Sequence, residues 1–132
     1  MRARGAITGV IVGALLGLGA SAEGTAPKQE ERWTIFKPYP GARRLCNQHV
    51  SGNTMHINWT LYASEDEPDK VRRFYEKNTS GASVEKEAGK LVRLRGPKKE
   101  VLSIHGVKDR YPSCGVAPSA RDRTAIVVSQ AT

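Results

Sequence analysis

The side chains best suited to chemistry stand at alternating positions of three segments whose pattern is typical of β-strands. The first segment has polar residues at every second position: His56, Asn58, Thr60 and Tyr62. Two later segments repeat this spacing with the pairs Arg93 and Arg95, and Ser103 and His105. Successive side chains of a strand point to opposite faces, so each set shares one face. If these strands are neighbours in register, histidines and arginines meet on one open sheet surface that is suited to an anionic ligand.

Four cations are the candidate anion-binding residues of such a surface. They are Arg93, Arg95, Lys98 and Lys99. Charge-assisted hydrogen bonds from these groups would hold a lipid headgroup, a polysaccharide or an acidic protein. A solvated face explains the same polar pattern, because antiparallel sheets commonly have one face in water. Both interpretations stay open at the level of the sequence.

Histidine also suits general acid–base catalysis, because its side chain titrates near neutral pH. The alternative function is therefore a small secreted enzyme with His56 or His105 as the general base. No nucleophile partner for either histidine is identifiable from the sequence. The motifs of phosphate-binding loops, nucleophile elbows and zinc-protease helices are absent after the first 22 residues. We therefore assign no catalytic residue and no cofactor, and we expect a non-enzymatic binding or accessory module.

The two cysteines, Cys46 and Cys114, are predicted to form a disulfide. Two thiols of an exported chain normally pair in an oxidising compartment. The alternative is a metal site in which Cys46 is joined by His49 and His56. These residues lack the paired ligand spacing of a structural zinc site, so we assign no metal ligand.

Residues 1–22 have the features of a secretory signal peptide. Arg2 and Arg4 precede an uncharged apolar stretch, and the segment ends in Ala20-Ser21-Ala22. A membrane anchor is the alternative, but the stretch is interrupted by glycines and is shorter than the roughly 20 apolar residues that span a bilayer. Cleavage near Ala22 predicts a periplasmic or secreted protein. Residues 23–32 are then a polar, flexible leader, and residues 33–132 form a single domain.

The charge balance is basic, with 21 Lys and Arg against 13 Asp and Glu among 132 residues, a formal net charge of +8. Such a charge favours association with polyanions or anionic surfaces. Nucleic acid is not expected as the partner, because no recognised binding motif is present. A further alternative is an assembly partner whose exposed sheet edge pairs with another chain.

Hydrophobic periodicity predicts an α+β fold. The candidate strands cover residues 45–50, 55–63, 83–88, 91–95, 101–107 and 124–129. Between the second and third of them, Pro68 begins a short helix whose Val71, Phe74 and Tyr75 form one apolar face. We expect two layers: an antiparallel sheet of about five strands, with one helix packed on a face, and one disulfide.

A turn and this helix carry a resemblance to known proteins. The turn is Tyr39-Pro40-Gly41-Ala42, and the helix follows Asp66-Glu67-Pro68 with Val71 and Phe74-Tyr75. In these features the chain resembles small exported bacterial α+β domains of uncharacterised function. The resemblance covers less than a third of the chain. It implies a domain of the cell envelope, and it transfers no catalytic residue.

Overall fold

The computed structural model describes residues 33–132. The predicted signal peptide (1–22) and leader (23–32) lie outside the described residues, so both stay predictions. Within the described residues, no helix is long and apolar enough to cross a membrane.

Six strands and one helix make up the fold. They are β1 (Arg43–Ser51), β2 (His56–Ser64), α1 (Pro68–Glu76), β3 (Ser83–Glu87), β4 (Lys90–Arg95), β5 (Glu100–Gly106) and β6 (Thr124–Ala131). The strands form one sheet in the spatial order β1-β2-β6-β5-β4-β3, and every neighbouring pair is antiparallel. The predicted α+β class, with an antiparallel sheet, one helix and one disulfide, is therefore confirmed. The expected number of about five strands is too low, since the sheet of the described residues has six.

All six candidate strands of the sequence have a counterpart in the sheet, including the two that form a short hairpin, β3 and β4. Its turn residues Ala88 and Gly89 both have positive φ values, 51° and 78°. Two-residue hairpin turns of this kind match the twist of the strands and usually carry Asn-Gly or Asp-Gly. The turn signal in this sequence is weak, because alanine stands at the first turn position.

The cross-strand register fixes which side chains share each face of the sheet, because directly paired residues lie on the same face. Leu102 pairs with Val128, and both lie on what we call the core face. Leu61 pairs with Cys46 on one side and with Val127 on the other. Those residues lie on the opposite face, which we call the disulfide face.

The largest buried cluster combines the core face with α1 and with the segment before β1. Its members from the strands are Tyr62, Leu91, Leu94, Leu102, Ile104, Ile126 and Val128. Val71 and Tyr75 join the cluster from α1, and the Tyr75 hydroxyl donates to the Lys37 carbonyl at 2.6 Å. The helix has nine residues, too few to be stable alone in water, so its stability depends on this burial.

The turn at residues 39–42 contacts α1 and the residues just before it, and these are the two segments that resemble the small exported bacterial domains. Gly41 has a φ of 82°, and the Ala42 N–H donates to the Tyr39 carbonyl to close the turn. The Tyr39 hydroxyl donates to the Asp66 carboxylate at 2.6 Å, and the Tyr39 ring packs edge-on against Phe74. Burial and then the contact with Asp66 raise the pKa of Tyr39, so its hydroxyl stays protonated and remains a donor. Contacts within the folded domain therefore account for the residue types of both the turn and the helix.

The predicted disulfide between Cys46 and Cys114 is formed, and it joins two Cα atoms that lie 6.5 Å apart. It links β1 to the long connection between β5 and β6. Beneath it lies a second cluster on the disulfide face, with Leu61, Ala125 and Val127 buried and with Leu45, Trp59 and Tyr111 partly buried against them. The bridge therefore holds the connection against this face of the sheet.

A buried carboxylate near the end of this connection predicts a pH-dependent contribution to stability. The Asp122 side chain is 0% exposed, accepts two hydrogen bonds from the Arg43 guanidinium, and accepts one from the Ser119 N–H. The Arg43 guanidinium is the main cause that lowers the pKa of Asp122. We expect Asp122→Asn to lower the free energy of unfolding by about 1–3 kcal/mol near neutral pH. The difference in stability between the two proteins should shrink as the pH falls through the lowered native pKa. The wild-type carboxylate is then protonated and neutral, and it loses the charge that distinguishes it from the asparagine amide.

Urea unfolding of the wild type and Asp122→Asn at neutral and strongly acidic pH measures this effect. Glu76→Gln is the control, because Glu76 is exposed and forms no ion pair among the described residues. A deficit for Asp122→Asn that is equally large at both pH values would contradict the assignment.

Candidate functional site

The register of β3, β4 and β5 brings a group of polar side chains to one part of the disulfide face. Arg93 pairs with Ser103 on β5, and Ser103 pairs with Val127 of the disulfide face on β6. Arg95 and His105 lie two residues from Arg93 and Ser103 along their strands, so they share the same face. We call Arg93, Arg95, Ser103 and His105 the arginine face. The sequence prediction that these four residues share a surface agrees with the register.

The two arginines of this face share one carboxylate. Glu85 pairs with Arg93 across β3 and β4, and its two oxygens accept from Arg93 at 2.6 Å and from Arg95 at 3.0 Å. The hydrogen bonds from Arg95 and then Arg93 lower the pKa of Glu85, so it stays ionised. Two guanidinium groups against one carboxylate leave this part of the sheet with a net positive charge. Glu85 was not predicted from the sequence, because a cross-strand partner depends on a register that composition and alternation do not specify.

His105 is half-buried beside this charge. Its Nε2 lies 2.8 Å from the Ser103 hydroxyl, and its ring lies 5.8 Å from the Tyr111 ring, centroid to centroid. Burial lowers the pKa of His105, and the positive charge of Arg93 lowers it further. The pKa of His105 therefore lies below the ordinary value for histidine, which favours the neutral imidazole near pH 7. A neutral imidazole can accept or donate one hydrogen bond without adding charge.

Lys98 and Lys99 lie in the turn between β4 and β5, next to the strand ends where Arg95 pairs with Val101. Both lysines are exposed, and within residues 33–132 neither side chain forms an ion pair. The turn is held by Glu100, whose side chain accepts from the Lys98 N–H at 2.7 Å. The two lysines therefore add unneutralised charge at one end of the arginine face.

The other predicted polar residues lie on the opposite face of the sheet. They are His56, Asn58, Thr60 and Tyr62 of β2. The register places Thr60 opposite Val128 of the core face, and β6 separates β2 from β5. The single surface that was expected to combine these residues with Ser103 and His105 is therefore not formed. Thr60 and Tyr62 are also buried, and Tyr62 stacks on Trp33 with ring centroids 3.9 Å apart.

The exposed part of β2 forms a second polar group with its neighbour β1. We call His49, Ser51, His56 and Asn58 the hairpin cluster. His49 Nδ1 lies 2.8 Å from Asn58 Oδ1, and His49 Nε2 lies 2.9 Å from Ser51 Oγ. Ser51 Oγ in turn lies 3.1 Å from His56 Nδ1. Ser51 was not predicted, because its contacts come from a partner across the strand pair, and because Gln48 interrupts the alternation of polar and apolar residues along β1.

The metal site considered for Cys46, His49 and His56 is wrong as a three-residue site. Cys46 is bonded to Cys114 and lies on the disulfide face, whereas the two histidines lie on the core face. Across the described part of the chain, no group of three or more His, Cys, Asp or Glu side chains is arranged to hold a metal ion.

The comparisons with known proteins add no identification. No protein family, no curated protein and no solved structure matches the chain. The resemblance to small exported bacterial domains therefore stays an expectation.

Proposed function

We propose that the protein is an exported, non-enzymatic binding module that holds an anionic group on its arginine face. One observation carries the proposal: two guanidinium groups and a hydroxyl lie on the same face, and the two guanidinium groups share one carboxylate, that of Glu85. Arg93, Arg95 and Ser103 would form the contacts, and Lys98 and Lys99 would extend the positive surface. The ligand class is a phosphate, sulfate or carboxylate group carried by a component of the cell envelope.

The hydrogen-bonding capacity of the arginines supports this proposal. Arg93 contacts Glu85 through Nη1, and Arg95 contacts it through Nε. Each guanidinium has five N–H donors, so most of them remain available to a ligand. Hydrogen bonds between charged partners are roughly twice as strong as those between neutral groups. An anion that bridges the two arginines would therefore gain several such bonds at once, while Glu85 holds both side chains in place.

The accessibility of this face supports the proposal as well. We infer that α1 packs on the core face in a two-layer arrangement, because Val71 and Tyr75 share a buried cluster with residues of that face. The disulfide-linked connection covers Leu61 and its neighbours. The arginines stay accessible, with 28% of the Arg93 side chain and 54% of the Arg95 side chain exposed.

Export is part of the same proposal. A disulfide is stable in the periplasm or outside the cell, and it is rare where thiols are kept reduced. The bridge between Cys46 and Cys114 is compatible with export, and the signal-peptide features in the sequence of residues 1–22 support it. The anionic groups available to the protein would then be lipid headgroups, surface polysaccharides and acidic envelope proteins.

Binding to vesicles that contain phosphatidylglycerol tests the proposal against a matched control. The test variant replaces the four candidate cations with glutamine: Arg93, Arg95, Lys98 and Lys99. The control replaces four exposed cations elsewhere, also two arginines and two lysines: Arg44, Lys77, Lys108 and Arg121. Both variants lose the same formal charge. We expect the test variant to bind more weakly and with a flatter salt dependence than the control, because local contacts add to the general attraction.

Equal losses in the two variants would contradict a localised site, since net charge alone would then account for binding. Circular dichroism confirms that both variants are folded. A free phosphate ion, titrated in place of the vesicles, separates recognition of the phosphate group from attraction to a charged surface.

The enzyme alternative has one observation in its favour. Both histidines considered as general bases contact a serine hydroxyl, His105 with Ser103 and His56 with Ser51. A serine hydrolase also needs a group that orients the histidine and donors that stabilise an oxyanion. His105 is next to a tyrosine ring and to positive charge, which suits ligand binding better than base catalysis. We therefore retain the binding module as the proposed function.

A further inference from the structure

The hairpin cluster lies on the core face and has no part in the proposed anion-binding contacts. Its residues belong to β1 and β2, and β1 is an edge strand of the sheet. His49, Ser51, His56 and Asn58 are all exposed. Two exposed histidines that are joined by hydrogen bonds through a serine are not needed to hold the core together, and their ring nitrogens are suited to binding a ligand.

We propose that His49 and His56 together bind a divalent transition-metal ion of the zinc, nickel and copper class. The register places the two histidines at diagonal positions of the hairpin, because His49 pairs with Asn58 and Ser51 pairs with His56. Diagonal side chains on the same face are close enough for long side chains to meet. The two rings are nearly parallel, with an interplanar angle of 23° and centroids 5.7 Å apart.

One nitrogen of each ring is directed at the same point. His49 Nε2 lies 2.9 Å and His56 Nδ1 lies 3.1 Å from the Ser51 hydroxyl oxygen. Zinc–nitrogen bonds are about 2.0–2.1 Å long, so the two nitrogens must approach each other to share an ion. Both side chains are exposed, and rotation about their side-chain bonds can bring them together without disturbing the core. The Ser51 hydroxyl and water are the available oxygen ligands.

The tautomer of His49 supports this assignment independently. Asn58 Oδ1, which can only accept a hydrogen bond, lies 2.8 Å from His49 Nδ1. The proton of neutral His49 is therefore on Nδ1, and the lone pair is on Nε2, the nitrogen directed toward His56 through Ser51. Histidines that bind metals almost always donate their other N–H in this way to an oxygen acceptor. Asn58 is then a positioning residue for His49.

The ligand set selects the class of metal. Imidazole nitrogen suits zinc, copper and nickel, whereas calcium and magnesium require several oxygen ligands. Among the described residues, no hydrogen bond or ion pair joins an Asp or Glu side chain to the cluster. The site therefore has two nitrogen ligands from the protein, and copper is expected to bind more tightly than zinc.

A zinc titration of the metal-free, full-length protein followed by NMR of the histidine rings tests the proposal directly. The chain has three histidines, so His105 serves as an internal control. We expect the ring signals of His49 and His56 to change together and to saturate at one zinc ion per chain, while those of His105 stay constant. Independent shifts of the two histidines, or similar shifts of all three, would overturn the proposal and indicate adventitious binding only.

Calorimetry of single-substitution variants tests whether His49 and His56 share one zinc ion. His49→Gln and His56→Gln are each expected to weaken zinc binding about tenfold or more, since even the loss of an orienting partner costs 10–100-fold. The matched His105→Gln variant should bind zinc as the wild type does. Asn58→Leu should weaken binding while leaving one site per chain. Unchanged affinity in His49→Gln and His56→Gln would contradict a shared ion, whatever the result of the anion-binding experiments.

Discussion

Replacing Cys46 and Cys114 together with serine is expected to lower the free energy of unfolding by about 2–5 kcal/mol, among the largest effects of any change in the domain. The bridge joins residues 68 positions apart, and chain entropy for a loop of that length gives about 4 kcal/mol. The connection that it anchors carries Tyr111, which lies beside His105. We therefore expect the same variant to loosen one border of the arginine face.

Urea unfolding of the oxidised wild type, the reduced wild type and the double-serine variant measures this effect. The reduced wild type is the matched control, because it lacks the bridge without any change of sequence. We expect it to unfold at nearly the same urea concentration as the double-serine variant. Three superimposable unfolding curves would show that the bridge does not restrict the unfolded chain.

Tyr75→Ala is expected to lower the free energy of unfolding by about 3–5 kcal/mol, a value typical of large aromatic residues lost from a core. Tyr75 is 0% exposed, packs against Tyr39 and Phe74, and donates its hydroxyl hydrogen to the Lys37 carbonyl. It therefore joins α1 to the segment before β1 within the largest buried cluster. Its removal leaves a cavity, and it also leaves the Lys37 carbonyl without its side-chain donor.

Two matched variants separate the contributions to this loss. Tyr75→Phe removes only the hydroxyl and should cost about 1 kcal/mol. Val84→Ala removes an apolar side chain that is 42% exposed and should change stability by less than about 0.5 kcal/mol. Thermal and urea unfolding provide the comparison. If Tyr75→Ala were as mild as Val84→Ala, the buried cluster of α1 and the sheet would be assigned incorrectly.

The sequence was sufficient to predict the elements that depend on local chemistry. The alternation of Ile57, Trp59 and Leu61 with polar residues identified β2, and Pro68 identified the first turn of α1. The disulfide was also predictable, because only one pairing of two cysteines exists. These signals lie within short windows or within a single pair, so they do not depend on the order of strands.

The composition of each face depends on long-range register, which no local pattern specifies. β6 comes last in the chain yet lies between β2 and β5, and its register places Thr60 of β2 opposite Val128 of the core face and Ser103 of β5 opposite Val127 of the disulfide face. Thr60 looks like a solvent-facing residue in an alternating strand, but it is 2% exposed on the core face. Glu85 and Ser51 were missed for a related reason, because their importance comes from partners across a strand pair.

A titration of the ¹⁵N-labelled full-length protein with inorganic phosphate at low ionic strength tests the central claim most directly. The account predicts saturable shifts of the backbone amides of Arg93, Arg95 and Ser103 and of the arginine Nε–H groups. The hairpin cluster serves as the internal reference, because it lies on the opposite face, and its signals should stay constant. Shifts that do not saturate, or that spread evenly over all exposed basic residues, would contradict a binding site on the arginine face.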